Sequence, residues 1–281
     1  MSTLDSPAAF RVRRRRLVRV FMYFGLIVAA IVMLYPFWYM ARNGFRSLDQ
    51  YQLGQGGFSL SSWRKLFRSL PVGRQLLNSS IITLSAIAII LAVSTTAGYA
   101  FAVLRFRWSQ VVFLCVIAGM MIPMPSIIVP EFVNLAKIGW INHYHGAILV
   151  YAALGAPFAT FLMTTYFRRV PEEVLEAALI DGLGYGRIFL QIMLPLALPA
   201  MATIAVLQFI YIWDDLLVGL LFLQTPEVRP ITVGLATIPA QHSLDVPLLM
   251  AGSLVSALPA VIVYLIFQRY LISGLTAGIG K

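Results

Sequence analysis

The sequence has few charged residues and a single cysteine. Charged side chains make up 11% of its 281 residues and hydrophobic side chains 60%, whereas an average soluble domain is roughly 25% charged. Too few polar groups remain to cover a water-soluble protein of this length, so the composition excludes that class and predicts lipid as the solvent. Because Cys115 stands alone in an apolar run, a disulfide framework and a cysteine zinc site are excluded as well.

Motifs for nucleotide binding and covalent chemistry are also missing. No Ser or Thr follows the lysine of the terminal Gly-Ile-Gly-Lys sequence, and no predicted strand precedes it, so any ATP must be bound by a separate chain. His143 and His145 stand in a predicted external loop without cysteines or paired acids nearby, and we interpret them, like His242, as ordinary loop residues. We therefore expect no catalytic residue, no metal site and no cofactor in this chain.

Positive charge is concentrated in front of an uncharged stretch. The formal net charge is +10, and six of the 21 basic residues lie between Arg11 and Arg19. A basic cluster that directly precedes an apolar segment is typical of a chain end held at the cytoplasmic face of a membrane, so nucleic-acid binding is a remote alternative. The uncharged stretch from Val20 is long and continues into a bulky aromatic cluster, which favours an uncleaved anchor over a secretory signal.

Six apolar stretches are long enough to cross a bilayer, whose hydrocarbon core of about 30 Å needs about 20 residues of helix. The predicted spans are Val20–Met40, Leu76–Leu104, Trp108–Pro130, Gly146–Phe167, Leu198–Leu223 and Val246–Gln268. Six spans place both termini on one side, and the N-terminal arginines predict that this side is the cytoplasm. We expect a basic cytoplasmic N-terminus at residues 1–19, a transmembrane domain at 20–268 and a cytoplasmic tail at 269–281.

Small residues and prolines predict the behaviour of two spans. Ser94, Gly98 and Ala102 recur at four-residue intervals on one face of the second span, a spacing that lets helices approach closely. Three prolines crowd the end of the third span, where they are expected to bend or end the helix. These features favour a packed helical bundle.

One polar segment does not fit a simple membrane bundle. Residues 168–197 hold four of the eleven acidic residues and are predicted to face the cytoplasm. Pro171 and the acidic pair after it suit the first turn of a helix, and Gly182 and Gly184 are predicted to end that helix. A second short amphipathic piece, Ile188–Leu194, follows. Because a helix of about eleven residues is too short to be stable alone in water, we expect it to dock on a partner surface.

The same segment carries a long spaced motif, EAA, three residues, G, nine residues, I-x-L-P. Its residues are Glu176, Ala177, Ala178, Gly182, Ile192, Leu194 and Pro195. The motif resembles the cytoplasmic loop of permease subunits in bacterial binding-protein-dependent ABC importers. Asp181, which stands before the glycine, is similar to the carbohydrate branch of that family, which includes the maltose-type inner-membrane permeases.

Two further elements resemble the carbohydrate branch, and the whole resemblance covers residues 70–281. The tail Gly274–Gly278 is similar to the C-terminal end of the branch, and the sequence from Trp213 to Leu216 is similar to its fifth-span W-N-[DE]-F element. Asp214 stands where the branch usually has asparagine, and Leu216 stands where it often has phenylalanine.

The resemblance implies an all-α integral membrane protein of the type I ABC importer permease fold, located in the bacterial inner membrane. It implies four partners besides lipid: a second permease chain, two cytoplasmic ATPase subunits that bind ATP and Mg, and an extracytoplasmic substrate-binding protein. Sugars or a polyol phosphate are the implied cargo.

The resemblance also implies a mechanical role for residues 168–197. They would form a coupling helix seated in a groove of the ATPase, so that closure of the ATPases tilts the attached spans between inward-open and outward-open states. Glu176 would make a charge-assisted contact to the ATPase, and Gly182 would supply the turn. Ala177 and Ala178 would allow close packing.

The acid pair Asp214 and Asp215 in the fifth span allows two interpretations. If the span begins near Leu196, about twenty residues end at Asp215 and the pair marks the outer interface. If the span continues to its predicted end, the pair faces a polar cavity on the substrate path, where Tyr211 and Trp213 could stack on sugar rings. The family resemblance favours the cavity. Adjacent helical residues point about 100° apart, so the two acids cannot form a catalytic dyad.

Other functions fit fewer of these observations. An ion-driven secondary transporter could use Asp214 or Asp215 as its ion site, but the first and last three spans show no convincing similarity, and such a carrier gives no reason for the cytoplasmic helix pair. An intramembrane enzyme is a remote alternative because no nucleophile motif is present. An ordinary solvated loop helix at residues 168–197 would leave the full spacing of the motif unexplained.

Overall fold

The structure, a computed structural model, describes residues 7–104, 106–238 and 245–276. These residues form helices joined by short turns, and no strand occurs among them, which confirms the all-α class. Arg105, His242 and the last residues of the tail motif, 277–278, lie outside the described residues. The helices are α1 Pro7–Gly44, α2 Leu48–Gln52, α3 Ser61–Ser69, α4 Val72–Val103, α5 Ser109–Ala118, α6 Met124–Lys137, α7 Tyr144–Phe167, α8 Glu172–Ile180, α9 Tyr185–Leu196, α10 Leu198–Asp214, α11 Leu217–Phe222, α12 Ile231–Ala236 and α13 Val246–Thr276.

Four of these helices are long and apolar enough to cross a membrane, namely α1, α4, α7 and α13. Two more candidates are bent pairs. Ser109–Met121 and α6 meet at an angle of 97°, and α9 and α10 meet at 67°. Counting each bent pair as one span gives up to six spans, in agreement with the six that the sequence predicts.

The bend in the third span lies where the proline cluster predicts it. Pro123 immediately precedes α6, and Pro125 stands in the first turn, where its missing N–H leaves no hydrogen bond unmade. The predicted span Trp108–Pro130 is therefore two helices with a sharp turn rather than one rod.

The chain divides into two compact units. The first comprises Met1–Leu66 and Leu244–Leu254. In it, Lys65 Nζ lies 2.7 Å from Asp245 Oδ2, and the Leu248 N–H donates to Asp245 Oδ1 at 3.1 Å. Asp245 thus forms an ion pair with α3 and caps the N-terminus of α13. No residue in the most apolar stretch of α1 is buried. This leaves the helix to pack against lipid or another chain.

The second unit, Phe67–Ser243 and Val255–Lys281, is organised around α4 and α7. A Cβ added at Gly98 in α4 would lie 2.6 Å from the Cβ of Met163 and 3.0 Å from its backbone, so only glycine permits this approach. Ser94 is fully buried on the same face. The predicted small-residue stripe is confirmed at these two positions, whereas Ala102 is only partly buried.

Candidate functional site

Residues 168–197, which we call the loop segment, begin with the predicted helix. Its helix, α8, starts after Pro171 and has two acidic residues in its first turn, where they favour the positive end of the helix dipole. At the other end Gly182 adopts a φ of +80°. The Gly182 N–H donates to Leu179 O and the Leu183 N–H donates to Ala178 O, both at 3.0 Å. This pair of bonds is a Schellman closure, which requires the left-handed residue that glycine supplies.

The faces of α8 differ in exposure. Ala178 is buried, whereas Glu176 and Ala177 are exposed. At the end of the helix Leu179 is 43% exposed and Ile180 is 85% exposed. Large apolar side chains that protrude from an otherwise polar segment are typical of an interaction surface.

A groove of about 550 Å³ runs beside α8. It is lined by the last residues of α4 and α7, by Glu172, Glu176 and Leu179 of α8, and by Tyr185. The predicted contact residue Glu176 therefore stands at the edge of a concavity formed by three helices.

The second half of the loop segment is fastened to the bundle. The Tyr99 hydroxyl of α4 donates to Tyr185 O at 2.9 Å, and the Tyr166 hydroxyl of α7 donates to Leu196 O at 2.7 Å. Ile188 and Met193 are fully buried. These bonds couple any movement of α9 to α4 and α7.

The predicted I-x-L-P residues lie at the bend between α9 and α10. Ile192 and Leu194 are half-buried and Pro195 is exposed. The residues from Phe189 to Met193 form a π-helical stretch, a local widening that often marks functional positions. Pro195 adds to the irregularity because proline has no N–H to donate.

The second candidate site is a break after α10. The helix ends at Asp214, and Asp215 has an extended backbone with ψ of 135°. Asp215 Oδ2 accepts hydrogen bonds from the Tyr151 hydroxyl at 2.9 Å and from the Val218 N–H at 2.8 Å. The carboxylate caps α11 and ties it to α7.

The helix bounds show where the helix of the fifth span ends. A continuous helix from Leu198 to Leu223 is wrong. The first helix, α10, ends at Asp214, and the Asp215 carboxylate then accepts a hydrogen bond from the Val218 N–H in the first turn of a new helix, α11. The span that starts near Leu196 and ends at the acid pair matches the observed helix, α10.

The aromatic and acidic residues around the break have separate placements. Trp213 is 3% exposed, its indole N–H donates to Ser256 O at 2.8 Å, and its ring stacks on Phe209 at 5.2 Å. The structure thus places the Trp213 ring in the packed interior of the chain. Tyr211 and Asp214 are exposed, lie three residues apart on one helix face, and make no hydrogen bond to other described residues.

A set of residues that the sequence did not single out holds the chain beyond the break. We call residues 215–236 the hairpin segment, since they contain the short helices α11 and α12 and the turn between them. Asn78 Nδ2 donates to Glu227 O at 3.0 Å and to Arg229 O at 2.9 Å, and the Tyr144 hydroxyl donates to Asn78 Oδ1 at 2.7 Å. The two bonds from Asn78 Nδ2 join positions about 150 residues apart, which no local sequence pattern signals.

Further bonds complete the attachment of the hairpin segment. Asn142 Oδ1 accepts from the backbone N–H groups of Gln224 at 2.7 Å and Thr225 at 3.1 Å, and the Ile231 N–H donates to Ser79 Oγ at 3.0 Å. Asn142 itself has a positive φ of 61°, which asparagine tolerates better than most residues. The turn therefore owes its shape to side chains of α4 and of the residues before α7.

Metal-ligating residues do not converge in the described part of the chain, where no group of three or more His, Cys, Asp or Glu side chains is found. The rings of His143 and His145 lie 5.2 Å apart, and the His145 ring also packs edge-on against Trp140. His143 immediately precedes α7 and His145 lies in its first turn, so the interpretation of His145 as a loop residue is wrong.

Known proteins are similar to nearly the whole chain. A family model described as binding-protein-dependent transport system inner membrane component matches residues 94–276. The osmoprotective compounds uptake permease protein of Synechocystis sp. is 32% identical over 85% of this chain and 80% of its own length. The maltodextrin transport system permease protein of Bacillus subtilis is 33% identical over 94% of this chain and 96% of its own.

A solved structure agrees at the level of the fold. A chain in the crystal structure of a bacterial ABC transporter involved in the import of the acidic polysaccharide alginate aligns with 92% of this chain and 98% of its own length. The TM-score is 0.75 at 23% sequence identity.

Proposed function

The chain belongs to the family of binding-protein-dependent transport system inner membrane components, and from this membership we propose that it is the membrane-spanning permease subunit of an ATP-driven sugar importer. It would contribute half of the translocation path and catalyse no covalent chemistry. ATP and Mg would be bound by two ATPase chains on the cytoplasmic side, and a second permease chain would complete the path.

The observation that carries this proposal is the form of the loop segment. A capped helix with exposed apolar residues at its end suits a partner surface, and the hydroxyl bonds of Tyr99 and Tyr166 to α9 join the same segment to α4 and α7. A force on α8 would therefore displace α4 and α7 as a rigid body. Alternating access requires such a displacement. An ion-driven carrier would have no use for such a surface.

Under this proposal Glu176 and Ala177 meet the ATPase, while Ala178 packs inward and Gly182 sets the turn. The loop segment would face the cytoplasm together with both termini, as the arginine distribution predicts. A substrate-binding protein would deliver the cargo at the opposite end of α7.

The cargo class rests on the relatives. The maltodextrin permease named above points to an oligosaccharide. A polyol phosphate, the other predicted class, has less support. Tyr211 and Asp214 are our candidates for substrate contact, because both are exposed on one face at the end of α10 and neither makes a hydrogen bond to other described residues. A carboxylate beside an aromatic ring can accept hydrogen bonds from sugar hydroxyls while the ring packs on the sugar face.

The proposal is tested by uptake into vesicles that contain the chain and the chains that co-purify with it. We expect oligosaccharide uptake that requires internal ATP and persists when an ionophore collapses ion gradients. Uptake by the isolated chain, or uptake abolished by the ionophore alone, would contradict the proposal. Glycerol phosphate belongs in the same panel of solutes as the competing cargo.

A substitution in α8 tests the coupling role directly. Ala177→Arg replaces an exposed alanine with a long cation and keeps helix propensity. We expect it to reduce ATPase co-purification. Ala136→Arg, an exposed alanine in α6, is the matched control and should leave the complex intact. Equal behaviour of the two variants would remove α8 from the ATPase interface.

A further inference from the structure

A small cavity lies beside the break at Asp215. Its volume is about 10 Å³, which suits a single ligand of the size of a water molecule. Oxygen-bearing side chains line it from three directions: Ser79 and Thr83 of α4, Tyr151 of α7, and Asp215 and Thr232 of the hairpin segment.

One hydroxyl and one carboxylate oxygen of this lining accept or donate no hydrogen bond among the described residues. Thr83 is 1% exposed and its hydroxyl makes no hydrogen bond to them. Asp215 accepts both of its side-chain bonds at Oδ2, which leaves Oδ1 open. A hydroxyl buried this deeply is costly unless something bonds to it.

The charge balance of the cavity is negative. No basic side chain pairs with Asp215 among the described residues. The last carbonyl groups of α10 add the negative end of a helix dipole at the same place. A lone water would satisfy the hydroxyl but would bring no positive charge to the half-buried carboxylate of Asp215.

We propose that this cavity binds one Na⁺ ion, with Asp215 Oδ1 and Thr83 Oγ1 among its ligands. A carboxylate and hydroxyl oxygens are the ligands that hard cations prefer, and the C-terminal end of an interrupted helix is a recurrent place for Na⁺ in membrane proteins. The ion joins α4 to the junction of α10 and α11, while Tyr151 joins the same carboxylate to α7. Its role is structural, because Asp215 is also fixed as the cap of α11.

Hydrogen exchange of the assembled complex tests this site without substrate or ATP, so the outcome does not depend on the import function. Exchange is compared in NaCl and in choline chloride at equal ionic strength, with the readout on peptides that cover Asp215–Leu223. At a Na⁺ concentration ten times its Kd, the local opening equilibrium falls about elevenfold, and we expect exchange to slow by that factor. KCl serves as a second comparison for selectivity.

Two hydroxyl-to-methyl variants in the same helix locate the ion. Thr83→Val keeps the side-chain shape and removes the ligand, and we expect it to abolish the Na⁺ effect. Thr95→Val is the matched control, since Thr95 is 3% exposed and lies about 18 Å along α4 from Thr83; it should retain the effect. Equal exchange in Na⁺ and choline would overturn the proposal in favour of a water molecule. A Na⁺ effect that survives in both Thr83→Val and Asp215→Asn would place the ion elsewhere and overturn it as well.

Discussion

The loop segment precedes α10 and the hairpin segment follows it, and the two are held by different kinds of bond. In the loop segment, α8 closes on its own backbone at Gly182 and exposes Leu179 and Ile180. In the hairpin segment, Asn78 of α4 bonds to the backbone of the turn, Tyr151 of α7 bonds to the Asp215 carboxylate, and Val218 and Phe222 are fully buried.

The difference shows how a membrane protein separates a moving contact from a fixed one. A surface that must engage and release a partner is built from a locally stable helix with few tertiary bonds. A turn that must keep its shape receives hydrogen bonds from distant elements. Removing any one of these bonds leaves a buried polar group unsatisfied. Substitutions in the hairpin segment should therefore reduce stability, and substitutions in the loop segment should reduce coupling.

The largest effect is expected from Asp215→Ala. The change leaves the Tyr151 hydroxyl and the Val218 N–H without their acceptor, at a cost of about 1–3 kcal/mol for each buried group. Thermal unfolding of the purified complex should show a strongly lowered midpoint. The neighbouring Asp214→Ala, at an exposed residue without hydrogen bonds to described residues, should stay within about 0.5 kcal/mol of the parent protein. Similar losses in both variants would refute the distinction between the two acids.

A smaller loss is expected from Asn78→Ala. The substitution removes both donors to the turn, but Glu227 O still accepts from Arg74 Nε at 3.0 Å, so we expect about 1–2 kcal/mol of destabilisation. Unfolding and limited proteolysis of the turn should report it together. Ser80→Ala in the same helix is the control, because its hydroxyl donates only to Leu76 O within α4. A stable, protease-resistant Asn78→Ala protein would show that the turn does not depend on these bonds.

In the loop segment, Gly182→Ala should cost about 1–2 kcal/mol locally, because its φ of +80° is unfavourable for a residue with a Cβ although nothing lies within 4 Å. We expect global unfolding to change little and ATP-driven uptake to fall. Gly184→Ala offers a sharp comparison, since Gly184 has equal open space and an ordinary φ of −76°. If both variants transported normally, the turn would have no part in coupling.

The smallest change in stability is expected from Ile180→Ser. Its side chain is 85% exposed, so unfolding should shift by less than about 0.5 kcal/mol. An apolar residue at an interface often contributes more than 1 kcal/mol to binding, and the variant should therefore bind its ATPase roughly tenfold more weakly. Titration of the purified ATPase onto the variant in nanodiscs measures this. Unchanged affinity would exclude the end of α8 from the contact.

The loop segment could be predicted from the sequence because its determinants are local. Pro171 precedes the helix and Gly182 ends it, and both act within a few residues of their own position. The bend after Pro123 was predictable for the same reason. The EAA motif is a local pattern too, so the family resemblance and the helix prediction agreed.

The hairpin segment could not be predicted because its determinants lie far apart in the chain. The Asp215 carboxylate meets Tyr151, which is 64 positions away, and Asn78 meets Arg229, which is 151 positions away. An apolar run such as Leu216–Leu223 favours one continuing span until these partners are known. The hydrogen bond from Trp213 to Ser256 could not be predicted either, because Ser256 belongs to another helix.

The turn of the hairpin segment is held in place through its main chain. Asn78 and Asn142 bond to backbone groups of Glu227, Arg229, Gln224 and Thr225. The exposed Glu227 side chain takes no part in these bonds, so it can be replaced while the backbone trace is preserved. A fluorophore attached at Glu227 would travel with α4 and α7, and it would give a fixed reference point from which the tilting of other helices during a transport cycle can be followed.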